Sequence, residues 1–182
     1  MNPLAKLFRT RTSRIAAVAL VIVILDQLTK ALVLRFLGYH EEMIIVPGFF
    51  KFVHWQNTGA AWSIFTGNNK MLAIVATIAL VVLFLGRHHF DSRSLPGQFA
   101  LGLIFGGITG NLIDRLLPSR HAVVDFIYFY LQRSGGNEIG FPAFNIADSG
   151  ICTGVGLIFL LTWRHEHRAK SAGQPRESKP DV

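Results

Sequence analysis

The chain has 182 residues, enough for one domain, and 51% of them are apolar. Its formal charge of +7 would point to a nucleic-acid partner if it lay on a soluble domain. Instead the apolar residues gather into long runs with the basic residues flanking them, which excludes that class and places the protein in a bilayer.

Residues 1–14 form a basic leader containing Lys6, Arg9, Arg11 and Arg14. The run 15–37 follows, and it reads as a retained helix rather than a cleaved signal peptide. No small-x-small site follows its first apolar stretch, the apolar character resumes through 31–37, and Asp26 and Lys30 interrupt it. In the connection 38–68, residues 44–55 are rich in β-branched and aromatic side chains and broken by Pro47-Gly48, which predicts short strands. Phe49, Phe50, Phe52, Trp55 and Trp62 suit a membrane interface, with Phe49, Phe50 and Trp55 expected as an apolar lid or an anchor.

The second run, 69–85, is short and almost free of polar groups. The third, 99–117, carries Gly102, Gly106 and Gly110 at four-residue spacing, a smooth stripe for close helix packing; Gly150 and Gly154 can do the same on the fourth. The connection 118–142 holds a turn at Ser134-Gly135-Gly136-Asn137. The fourth run, 143–163, contains Cys152, the lone cysteine, expected as a small buried hydrophobe. Residues 164–182 form a basic tail, expected to be disordered. Each run can supply the roughly 20 residues a span needs. Basic flanks put both ends and the loop around Arg87 and Arg93 on the cytoplasmic side, and 38–68 and 118–142 outside.

The ionisable residues near these runs carry the functional signal, because a charge at mid-membrane costs about 2.5–3.5 kcal/mol and needs a partner or a task. Asp26 and Lys30 stand one turn apart and read as an ion pair. Asn111, Asp114 and Arg115 share the outer end of the third run, where Arg115 can brace a carboxylate; Asn111 and Arg115 can also hold a peptide backbone. Asp125 lies in an apolar stretch that raises its proton affinity. Asp148 sits at a helix start behind Pro142, where the helix dipole favours a carboxylate. Two such aspartates that meet hold one proton between them and suit peptide hydrolysis. Two other readings remain on these residues alone: a proton- or cation-coupled path, and a subunit whose polar groups only join helices.

Five blocks occur in order: Asp26-Gln27-Leu28-Thr29-Lys30, Asn57-Thr58-Gly59-Ala60-Ala61-Trp62, Gly110-Asn111-Leu112-Ile113-Asp114-Arg115, Val123-Val124-Asp125-Phe126, and Phe141-Pro142-Ala143-Phe144-Asn145-Ile146-Ala147-Asp148-Ser149. Together the chain resembles the bacterial lipoprotein signal peptidases (signal peptidase II) over 15–163. The resemblance implies an all-α membrane protein of four transmembrane helices with a small β-rich periplasmic cradle, working in the bacterial inner membrane as an aspartic endopeptidase. It implies Asp125 and Asp148 as catalytic, and Asp26, Asn57, Asn111, Arg115 and Asn145 as lining the substrate site. Lys30 and Asp114 are expected as structural support. The implied partners are diacylglyceryl-modified prolipoproteins, cut N-terminal to the lipidated cysteine, membrane lipids, and globomycin-like cyclic peptide inhibitors. No metal or other cofactor is implied. Segments 116–122 and 133–140 look longer than the family pattern. His54 and His121 lack metal-ligand spacing and read as interfacial, and His165-Glu166-His167 lacks the helical pairing of a zinc peptidase.

Overall fold

The computed structural model describes residues 10–59, 67–90, 92–120, 122–133 and 137–172. Trp62, His121, the turn at Ser134-Gly135-Gly136, the start of the leader and the tail beyond Ala172 lie outside the described residues.

Four helices, α1 (Arg11–Phe36), α2 (Asn69–Gly86), α3 (Leu95–Leu116) and α4 (Ile146–Ala172), are long and apolar enough to cross a membrane. Their ends follow local chemistry. At α1 the Thr10 hydroxyl accepts from the Ser13 amide at 3.1 Å while Ser13 Oγ accepts from the Thr10 amide, a reciprocal cap. α3 begins at Leu95 rather than 99, because Ser94 caps Gly97 and Pro96 occupies the first turn. α4 begins at Ile146 rather than 143, because Phe144 still exchanges two main-chain hydrogen bonds with Ile127. It also continues past Trp163, so the expected tail is helical from 164 to 172.

α3 is the hub, packed closely on α1 and α4 and more lightly on α2. The glycines explain the close approach. A Cβ on Gly106 would stand 2.7 Å from the Ala19 carbonyl oxygen of α1, and one on Gly154 would stand 2.7 Å from that of Ala100 on α3. Half of the α3 span is buried in the protein, against 11% for α1 and α2, whose Leu, Ile and Val side chains face outward. That inversion suits a lipid solvent. Cys152 is exposed on α4 rather than buried, so it belongs to this outward face.

The two long connections form a four-stranded antiparallel sheet in the order β1 (Glu42–Val46), β2 (Phe50–Asn57), β3 (Val123–Gln132) and β4 (Glu138–Gly140). Gly48, at φ 73°, supplies the left-handed residue that the β1–β2 turn requires. Lys51 ties the sheet across its width. Its ammonium, buried over the Tyr128 and Tyr130 rings, reaches Glu42 of β1 at 2.6 Å and Glu138 of β4 at 2.7 Å. Burial works against that charge, but the two glutamates more than offset it and lift its pKa. The β2–β3 register sets Trp55 opposite Asp125 and Asn57 opposite Val123, which fixes where the first aspartate emerges.

Candidate active site

Where the sheet meets α1, α3 and the start of α4, the apolar bundle holds two polar layers. The inner one centres on Lys30, which is fully buried. Its Nζ lies 2.8 Å from Asp26 Oδ2, 2.7 Å from Asp114 Oδ2 and 3.0 Å from Asn111 Oδ1. Asp26 and Asp114 are as buried as the lysine, and Arg120 pairs with Asp114 from outside. Gln27 donates to Asp26, to Asp114 and to the Gly110 carbonyl, and accepts from Arg120 at 3.0 Å. Two carboxylates and two cations leave this layer neutral, which is what a low-dielectric interior requires. Gly110 leaves the room for it: a Cβ there would stand 2.6 Å from Asp26 Oδ2.

The outer layer contains Asp125 and Asp148. Asp125 comes from β3 and is 4% exposed; Asp148 comes from the first turn of α4 and is half-buried. Asn145 stands between them. Its side-chain amide donates to Asp125 Oδ1 at 2.7 Å, while its main-chain N–H donates to Asp148 Oδ2 at 3.2 Å. Its side-chain oxygen also accepts from the Asp148 amide at 2.9 Å, so the α4 cap and the bridge between the aspartates are one structure. Asn57 Nδ2 donates to the other Asp125 oxygen at 3.0 Å, and Asn111 Nδ2 to Asp148 Oδ1 at 2.7 Å. Every one of these donors is a neutral amide. Burial first, and the neighbouring Asp148 charge second, push the Asp125 carboxyl up to about 7. A group titrating there is poised to hold or release a proton at neutral pH.

The structure gathers Asp26, Lys30, Asn57, Asn111, Asp114, Asp125, Asn145 and Asp148 into these layers, with some changes of part. Asp26 is placed behind the outer layer rather than on its surface: fully buried, it holds Lys30 and accepts from the Ala147 amide at 3.0 Å, capping α4. Among the described residues Arg115 braces no carboxylate directly. Its guanidinium donates to the Asn111 carbonyl and, at 3.1 Å, to the Gly59 carbonyl, which pins the Asn57-Thr58-Gly59 turn against α3. Its Nε is buried and has no hydrogen-bond partner among the described residues, and its charge interacts with Asp148 and Asp125. His54 is buried with Nδ1 3.0 Å from the Leu37 carbonyl oxygen. Sequence reading missed Gln27 and Arg120. Arg120 lies within the segment that looked long, and its only signal was a basic residue six positions after a buried acid.

Residues 18–164 match the family model described as Signal peptidase (SPase) II. The chain belongs to the signal peptidase II family. Among its relatives in that family, the lipoprotein signal peptidase of Azoarcus sp. (strain BH72) is 42% identical over 159 residues, covering 85% of each chain. That of Symbiobacterium thermophilum is 39% identical over 142 residues, covering 78% of this chain and 89% of the relative. A bacterial membrane enzyme solved by the in meso method at 2.3 Å resolution shares the fold, with a TM-score of 0.71 and 33% identity over 90% of this chain and 93% of that one. This signal peptidase II chain is therefore a peptidase of the membrane, and its two polar layers belong to a hydrolase.

Proposed function

We propose that the chain is an aspartic endopeptidase that frees diacylglyceryl-modified prolipoproteins from their signal peptides, cutting N-terminal to the lipidated cysteine, with Asp125 and Asp148 as the catalytic pair. The observation that carries this is the amide-bridged pair itself: two carboxylates on either side of Asn145, with Asp125 holding its proton up to about pH 7.

Asp148, the more accessible of the two, takes a proton from water as the water oxygen bonds to the scissile carbonyl carbon. Asp125 gives its proton to the carbonyl oxygen, producing a neutral gem-diol. Asp125 then recovers a proton from the diol as the C–N bond breaks, and Asp148 passes its own to the leaving nitrogen. Both carboxyls return to their starting states. Asn57, Asn111 and Asn145 hold the pair, and Arg115 fixes the Asn57-Thr58-Gly59 turn beside the peptide. Lys30, Asp26 and Asp114 keep that floor rigid.

The site opens outward from the bacterial inner membrane, with both chain ends in the cytoplasm. Arg11, Arg87, Arg93 and Arg164 support this orientation, since all lie at the end of the bundle away from the aspartates. The sheet rests at the lipid boundary as a periplasmic cradle: β1 exposes Met43, Ile44, Ile45 and Val46, and Phe49 is 53% exposed beside them. A lipidated substrate then enters sideways with its acyl chains in hydrocarbon, and globomycin-like cyclic peptides compete for the same cradle. The test is cleavage of a diacylated lipobox peptide by the purified chain in detergent. Asp125→Asn and Asp148→Asn should each abolish cleavage while the helical signal and elution volume stay unchanged. Normal turnover by either variant would refute the assignment.

A further inference from the structure

The end of the bundle away from the aspartates holds a cleft that peptide hydrolysis does not use. α1 and α2 both rest on α3 but stand apart, leaving a space of about 420 Å³. Its body is apolar, walled by Ala16, Ala19 and Val23 of α1, Phe84 of α2 and Phe105 of α3, and its outer end carries Thr12 and Arg87.

Length, apolar lining and charge together select an occupant. Thr12 to Val23 is eleven helical steps, about 16 Å, roughly half of a hydrocarbon core of about 30 Å. The cleft therefore spans one leaflet. A single extended hydrocarbon chain of that length can lie along an apolar cleft of about 420 Å³. At the mouth, Arg87 donates to the Phe84 carbonyl and its guanidinium lies 4.2 Å from the Phe84 ring centroid, which holds a cation at the depth of a lipid phosphate. Arg11 adjoins Thr12 in the chain and adds to the same positive end.

We propose that this cleft is a binding site for one acyl chain of an anionic phospholipid, with the phosphate against Arg87, in the leaflet opposite the candidate active site. It is independent of how the aspartates work. The full chain, purified in detergent, is titrated with phosphatidylglycerol or with phosphatidylcholine of the same acyl chains, and bound lipid is counted by native mass spectrometry. Wild type should retain phosphatidylglycerol about fivefold more tightly, the preference expected of one basic group at an anionic surface. Arg87→Gln should lose that preference and Arg87→Lys should keep it. Ala16 is exposed at the cleft wall, so Ala16→Phe fills the space without entering a helix contact; it should lose both lipids, and Ala16→Leu should lose them in part. Equal retention of the two lipids by wild type would overturn the proposal. So would undiminished lipid on Ala16→Phe, or a wild-type dimer that Ala16→Phe converts to monomer, which would assign the cleft to a second copy.

Discussion

The two polar layers are built from the same side chain, aspartate, and differ in what holds it. Asp26 and Asp114 are clamped by Lys30 and Arg120, and Gln27 fills the remaining bonds. Asp125 and Asp148, one layer out, are held by Asn57, Asn111 and Asn145, and among the described residues neither has an ion-pair partner. A cation supplies a buried carboxylate with a counter-charge, whereas an amide orients it without one. The inner layer is thus paired with cations, whereas the outer one, the candidate catalytic pair, is held by amides alone.

That contrast can be broken at either layer. The largest effect on rate should come from Asp125→Asn or Asp148→Asn, each lowering kcat by about 10³-fold or more, since acid–base partners commonly supply about 10²–10⁴ each. Peptide cleavage reads the loss, and thermal unfolding in detergent should show that neither variant is destabilised by more than about 1 kcal/mol.

Lys30→Met should do the reverse. It leaves buried carboxylates short of a cation, which costs about 3–5 kcal/mol. The unfolding midpoint should fall accordingly, and adding Asp26→Asn to Lys30→Met should recover part of it. A double variant no more stable than the single one would show that Lys30 acts through packing instead.

Asn145→Ala touches both functions of the outer layer. Loss of the α4 cap should cost about 0.5–2 kcal/mol. Loss of the bridge should lower kcat as well, with KM changing less, because the amide orients the reacting groups. The pH profile sharpens the same point. Asp125 must be protonated to act as acid, and its raised pKa keeps it so below about 7. As pH rises through that value the proton is lost, so kcat/KM should fall tenfold per unit on the alkaline side. The smallest effect belongs to Lys51→Met, whose glutamate partners are 39% and 34% exposed; it should cost at most about 1 kcal/mol and change turnover little.

Much of this was legible in the chain itself. The spans follow from run length and hydropathy, and the β1–β2 hairpin from Pro47-Gly48 between β-branched and aromatic stretches. Asp125 stood out as an acid in an apolar stretch, and Asp148 as a carboxylate at a helix start behind Pro142. What stayed hidden depends on tertiary contact. Nothing near Arg115 in sequence says that it bonds the Gly59 carbonyl, 56 positions away, rather than a carboxylate. Arg120 drew no reading, because only the turn after α3 folds it back onto Asp114. The start of α4 was misjudged because Pro142 is a helix-start signal, yet strand pairing by Phe144 prevails and delays the helix to the Asn145 cap. Cys152 was read as buried by soluble-protein logic, which a lipid-facing helix inverts.

The most direct test is to watch the Asp125 proton itself by isotope-edited infrared spectroscopy of the carboxyl band, in wild type and in Asp148→Asn. A midpoint near 7 in wild type, moving lower once the neighbouring charge is gone, is the expected result. A midpoint near 4, the ordinary value for an aspartate, and unmoved by Asp148→Asn, would contradict the shared-proton pair.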